Sequence, residues 1–170
     1  LLLVSALSTA FIVLLHDDLS GIYGFVLASG LASLVGGRVS GIFSDRSSKN
    51  TMAAGAAISS VIILLIVVSS HWAPDSVNAW GMPLGFFAVN LAHTAVRVAR
   101  KTYVVDMAGG DKRTQYVGAA NTMMGIILLI VGGISSVIAL AGPEAALIFL
   151  ALVGFVGVWR AGSLKEVSRT

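Results

Sequence analysis

The sequence predicts an all-α membrane protein: six transmembrane helices with both ends on the cytoplasmic side. Three observations carry that prediction. The mean hydropathy is +0.92 and only 11% of the 170 residues are charged. Long uncharged runs alternate with short polar connections. Every one of the 11 Lys and Arg residues falls on one side of the layout those runs imply. A soluble domain carries about 25% charged residues. Small domains bury only a modest share of their surface, so this much apolar surface cannot be hidden in a globule of this size. Lipid is the remaining solvent that accepts it.

A spanning helix needs roughly 20 mostly apolar residues at about 1.5 Å each. Residues 1–15 are uncharged but short, and the chain opens at Leu1 inside that run. This reads as a fragment of a longer protein that begins part-way into a helix. It does not read as a signal peptide, since no basic region or cleavage site accompanies it. His16-Asp17-Asp18-Leu19-Ser20 is a tight acidic turn, and 21–44 is the second span, interrupted by Arg38 near its end. After the charged stretch Gly41–Asn50, residues 51–70 make an uncharged third span. His71 to Gly81 is read as a loop with Pro74, Asp75, Trp72 and Trp80, whose rings suit a membrane-water interface. The fourth span, 82–96, has Pro83 in its first turn, where proline is tolerated. The fifth is 116–141, and Gly142-Pro143-Glu144 turns the chain into the sixth, 145–159. No segment shows the alternation over about 10 residues that a membrane β-barrel strand needs.

Numbering these spans in order sorts the charges. Arg38, Arg46 and Lys49 flank the second connection, Arg97, Arg100, Lys101, Lys112 and Arg113 the fourth, and Arg160, Lys165 and Arg169 lie in the tail. The other side holds Asp17, Asp18, Asp75 and Glu144 and no Lys or Arg. The positive-inside rule makes the basic side cytoplasmic. A pI near 9.6 raises nucleic acid as a partner, but the positive charges form separate membrane flanks, which removes that reading. The absence of cysteine removes disulfides and thiol-ligated metals.

The stretch from Gly41 to Asn50 resembles the cytoplasmic loop motif of the major facilitator superfamily, Gly-x-x-x-Asp-Arg/Lys-x-Gly-Arg/Lys-Arg/Lys. Gly41, Asp45, Arg46 and Lys49 match; Ser48 stands where a second glycine is usual and Asn50 where a final base is usual. The motif lies between the second and third helices of each six-helix half, as it does here. A degraded copy and a short tail point to the C-terminal half, helices seven to twelve. The resemblance implies a secondary transporter working by alternating access. In it the loop is a latch that closes the cytoplasmic side in one state, its partner lying in an N-terminal six-helix half of the same protein. It implies no cofactor and no enzyme activity. The competing reading of the loop is that Arg46 and Lys49 simply anchor it by the positive-inside effect.

Asn90, His93 and Arg97 recur at three- and four-residue steps and share one helix face. Arg100 and Asp106 follow, and Asn121 in the next span is placed to meet the basic cluster. Polar groups inside a membrane are costly and face a cavity or a partner. Asn90, His93, Arg97, Arg100, Asp106 and Asn121 are therefore candidates for a substrate cavity and its cytoplasmic mouth. The alternative is interhelical hydrogen bonding for Asn90 and His93, with Arg97 and Arg100 snorkelling.

Small residues at four-residue spacing form two registers on the second span, Ser29/Ser33/Gly37/Gly41 and Ala28/Ala32/Gly36/Ser40. Gly118, Gly125, Gly132 and Gly133 give the fifth span a similar character. Such faces let helices approach closely in lipid.

No nucleophile elbow, zinc-binding helix motif or phosphate-binding loop is present. No carboxylate lies deep in a span, so proton coupling by a membrane acid is not legible. The expected protein is a multi-pass transporter of the bacterial inner membrane carrying an unidentified small solute. The alternative is a free-standing six-helix subunit of an ATP-driven importer or of an oligomeric channel.

Overall fold

The structure, a computed structural model, describes residues 19–108 and 112–167. The first expected span, 1–15, lies outside them. The described chain is helical: α1 (Leu19–Arg46), α2 (Ser48–Trp72), α3 (Asp75–Met107), α4 (Arg113–Ile138), a single 3-10 turn (Ala139–Ala141) and α5 (Pro143–Gly162). Three helical segments are long and apolar enough to cross a membrane: Ser48–Trp72, Arg113–Ala141 and Pro143–Gly162. The described residues therefore support an integral membrane protein with three such helices, where the sequence predicts six spans.

Two expected boundaries change. The loop predicted over His71 to Gly81 contracts to Ala73 and Pro74, and Pro83 sits inside α3 rather than in its first turn. Pro74 ends α2 because the residue before a proline is pushed to extended backbone, and Ala73 takes φ −91° and ψ 146°. Asp75 then suits the first turn of α3, where the helix dipole favours negative charge. Asn78 completes the corner. Its Nδ2 donates to the carbonyls of Ser69 and Ala73, each at 3.2 Å, and its Oδ1 accepts from Ser69 Oγ at 2.6 Å. At 33 residues, α3 is about 50 Å long, well beyond a hydrocarbon core of about 30 Å.

The second altered boundary is at the charged stretch. Gly41 to Arg46 remain helical, and only Ser47 breaks the helix between α1 and α2. Ser47 is extended, with φ −161° and ψ 101°, and its Oγ accepts from the Asn50 N–H at 3.2 Å, an N-cap for α2.

α3 is the centre of the packing. α1 and α2 both lie against it, α5 packs on the far side of α2, and α4 touches α3 and α5 only lightly. The core joins Ile63, Ile66 and Val67 of α2, Met82, Phe86 and Val89 of α3, and Leu147 and Ala151 of α5. α2 and α3 approach very closely at Gly55. A Cβ there would lie 2.7 Å from Val96 Cγ2 and 3.0 Å from the Ala92 carbonyl oxygen. On α5, Gly154 leaves the space that the Ser60 hydroxyl fills. Of the two small-residue registers on α1, the one through Ala32, Gly36 and Ser40 is buried, with Gly36 against Leu91 and Thr94. Ser33 and Gly37 of the other register face outward. Gly118, Gly125 and Gly133 meet nothing within the described chain, and only 6% of the most apolar window of the Arg113–Ala141 segment is buried.

Gly55→Val should lower the thermal unfolding temperature of the detergent-solubilised full-length protein, because overpacking a tight contact costs about 1–3 kcal/mol. Gly157→Ala, where a Cβ meets open space, should be neutral or stabilising by up to about 1 kcal/mol. Equal effects from the two would remove the close-approach account.

Candidate functional site

Helix direction collects the charges. α2 and α3 run antiparallel, since Gly55 meets Val96 while Gly85 meets Ile66. α5 is antiparallel to α2, since Gly154 meets Ser60 while Glu144 reaches Ser70. One end of the bundle therefore gathers Arg46, Lys49, Arg97, Arg100, Lys101 and Arg160. At the opposite end, His71 Nε2 lies 3.2 Å from Glu144 Oε2, an ion pair when the imidazole is protonated, and Ser70 Oγ donates to Glu144 Oε1 at 3.4 Å.

At the basic end the tail folds back over the bundle. Glu166 Oε2 accepts from Ser47 Oγ at 2.5 Å, and the Lys165 carbonyl accepts from Tyr103 Oη at 3.0 Å. Ser47 thus accepts from the α2 backbone and donates to a carboxylate at the same helix N-terminus, where negative charge is favoured. Asp45, the acid of the motif, instead lies in the last turn of α1, exposed and without an ion pair among the described residues. Gly41 has open space beside it, Arg46 is exposed and Lys49 half-buried. Gly41, Asp45, Arg46 and Lys49 thus lie around one joint, with Glu166 as the acid bonded to it through Ser47. Nothing in the sequence singles out Glu166. Ser47 carried a legible signal, a serine ahead of an apolar helix.

The joint also holds an unsatisfied group. Ser44 is fully buried and its hydroxyl has no hydrogen-bond partner among the described residues, while Ser48 Oγ donates to the Ser44 carbonyl at 3.3 Å. A buried unpaired hydroxyl costs about 1–3 kcal/mol.

On α3 the predicted polar residues form one continuous stripe. Asn90, His93, Arg97 and Arg100, with Lys101 beside them, follow each other around a single face at about 100° per residue. Asn90 is buried, and its Nδ2 donates to the Phe86 carbonyl within its own helix at 3.0 Å, with no bond to another helix among the described residues. His93 and Arg100 are half-buried and Arg97 exposed. The stripe runs into a cavity of about 210 Å³ between α3 and α4, lined by Arg100, Lys101, Val104, Val105, Val117, Ala120 and Asn121. The structure therefore brings Arg100 and Asn121 together. Asn90, His93 and Arg97 lie on the same face of α3 but outside the cavity lining. Asp106 faces away from the stripe.

A larger groove, about 540 Å³, lies on the opposite face of α3, between α1 and α2. It was not legible in the sequence, because it exists only where three helices diverge.

No family model matches the chain, and no curated protein or solved structure matches it either.

Ser44→Ala should be neutral or stabilising by up to about 1–3 kcal/mol, since it deletes the unpaired hydroxyl. Ser47→Ala should cost about 1 kcal/mol through the lost N-cap, and should speed amide exchange in residues 48–51 and release the tail. Unchanged exchange there would mean that Ser47 does not hold the joint.

Proposed function

We propose that this chain is the C-terminal six-helix half of a major facilitator-type secondary transporter, moving a small solute by alternating access. The observation that carries the reading is the single polar stripe of α3, which leads from Asn90 through His93 and Arg97 to the cavity walled by Arg100, Lys101 and Asn121. Every other described span offers mainly apolar surface. A stripe of this kind is a path for a polar group through lipid. α4, barely attached to the rest, is the wall that moves. The joint at Ser47 is the latch, with Asp45 free to bond a partner in the N-terminal half. The basic end faces the cytoplasm, by the positive-inside rule, in a bacterial inner membrane. The role is carriage, not catalysis, and needs no cofactor.

The exposed glycines of α4 also fit a second reading, in which its open face packs on further copies of a free-standing six-helix subunit of a channel or importer. Subunit stoichiometry separates the two.

The decisive test places single cysteines at Asn90, Ser48 and Asn121 of the full-length protein and follows labelling by a membrane-impermeant thiol reagent across candidate solutes. Labelling at Asn90 and Asn121 should change with a transported solute, and Asp45→Asn should hold the pattern in one state. Labelling indifferent to every solute and to Asp45→Asn would remove the transport reading.

A further inference from the structure

The groove on the far face of α3 lies apart from the polar stripe and meets the joint between α1 and α2 at its mouth, through Arg46 and Ser47. Its floor is Phe87, Ala88, Leu91 and Ala95 of α3, and its walls are α1 from Val39 to Arg46 and α2 from Asn50 to Ile58. α1 and α2 are joined by one residue yet touch each other little, because each is drawn down onto α3, at Gly36 and at Gly55. The space left between them is almost wholly apolar. In water such a cleft would close or bind a protein; in a bilayer it is filled by hydrocarbon.

We propose that this groove is a binding site for an anionic phospholipid of the leaflet at the basic end, one acyl chain lying along α3 and the phosphate held at Arg46. The proposal rests on the reading of these helices as membrane spans. Length is the first support. From Asn50 to Ile58 the groove runs about 12 Å along α2, close to the roughly 15 Å of hydrocarbon in one leaflet. Charge complementarity is the second. Arg46 lines the groove's mouth, Lys49 lies one turn away, and the Asn50 side chain stands beside them. Arg46 has no ion-pair partner among the described residues. Two carboxylates lie near that mouth, Asp45 on the adjoining position of α1 and Glu166, whose Oε2 accepts from Ser47 Oγ. The Ser47 hydroxyl already donates to Glu166, so the guanidinium and the Asn50 amide are the donors for a phosphate oxygen. A zwitterionic lipid has the same chains and phosphate but no net charge for Arg46 and Lys49 to attract.

The test is quenching of a single tryptophan by brominated lipid in vesicles containing the full-length protein. Trp72, Trp80 and Trp159 are replaced by Phe, and one tryptophan is placed at Ile58 on the groove wall, which is 51% exposed. A second, control protein carries it at Leu129 on α4, which is 72% exposed. Brominated phosphatidylglycerol should quench Trp at 58 with about fivefold higher relative affinity than brominated phosphatidylcholine, the effect of one basic residue at the surface. At 129 the two lipids should quench equally. Arg46→Gln should abolish the preference at 58 while leaving quenching at 129 unchanged. Equal quenching by both lipids at 58 overturns the site in favour of ordinary boundary lipid. No quenching at 58 with normal quenching at 129 means that protein fills the groove. No quenching at 129 removes the membrane reading, and the lipid site with it.

Discussion

The close seating of α2 on α3 at Gly55 is the constraint from which the rest of the arrangement follows. Lipid supplies no hydrophobic drive between helices, so they are held by van der Waals contact, and contact needs small residues where backbones meet. Gly55 lets the Val96 side chain and the Ala92 carbonyl fill the place of a side chain. The same logic seats α1 through Ala32, Gly36 and Ser40, and α5 through Gly154 around Ser60. Between these seams Ile63, Ile66, Phe86 and Leu147 close the core.

That geometry gives α3 two different faces. One carries Asn90, His93, Arg97 and Arg100 toward the loosely held α4. The other is the floor of the apolar groove beneath α1 and α2. A helix buried on all sides could do neither. α3 keeps both faces because its neighbours cover only part of it.

The basic end adds a second level of order. Its cations are repelled from one another and are kept at a surface by solvation. Here the tail brings Glu166 to Ser47 and its carbonyl at Lys165 to Tyr103, so the joint between α1 and α2 is tied to the chain's last described residues. The opposite end is closed more simply, by Asn78 under Pro74 and by Glu144 between Ser70 and His71. Each end is thus held by contacts of a few atoms, whereas the middle of the bundle is held by extended seams.

Much of this was legible from residue order, because hydropathy, proline, glycine and charge placement act locally. The all-helical membrane character, the turn at Gly142-Pro143 with Gly142 at φ 130°, and the shared face of Asn90, His93 and Arg97 all follow from neighbours within a turn or two. The cluster His71–Gly81 read as loop, because its composition is that of an interface; Asn78 capping α2 and Pro74 redirecting the chain made it helix from Asp75 onward. Which small-residue register of α1 would be buried could not be read, since both have the same spacing and only the position of Leu91 and Thr94 chooses between them. The partnership of Ser47 with Glu166, the meeting of Arg100 with Asn121 and the groove beside Arg46 were decided by tertiary structure alone. They join residues far apart in the chain, and no local periodicity encodes which helix ends up beside which. The sequence by itself determined that the segments are apolar helices; the packing of its neighbours on α3 decided what those segments meet.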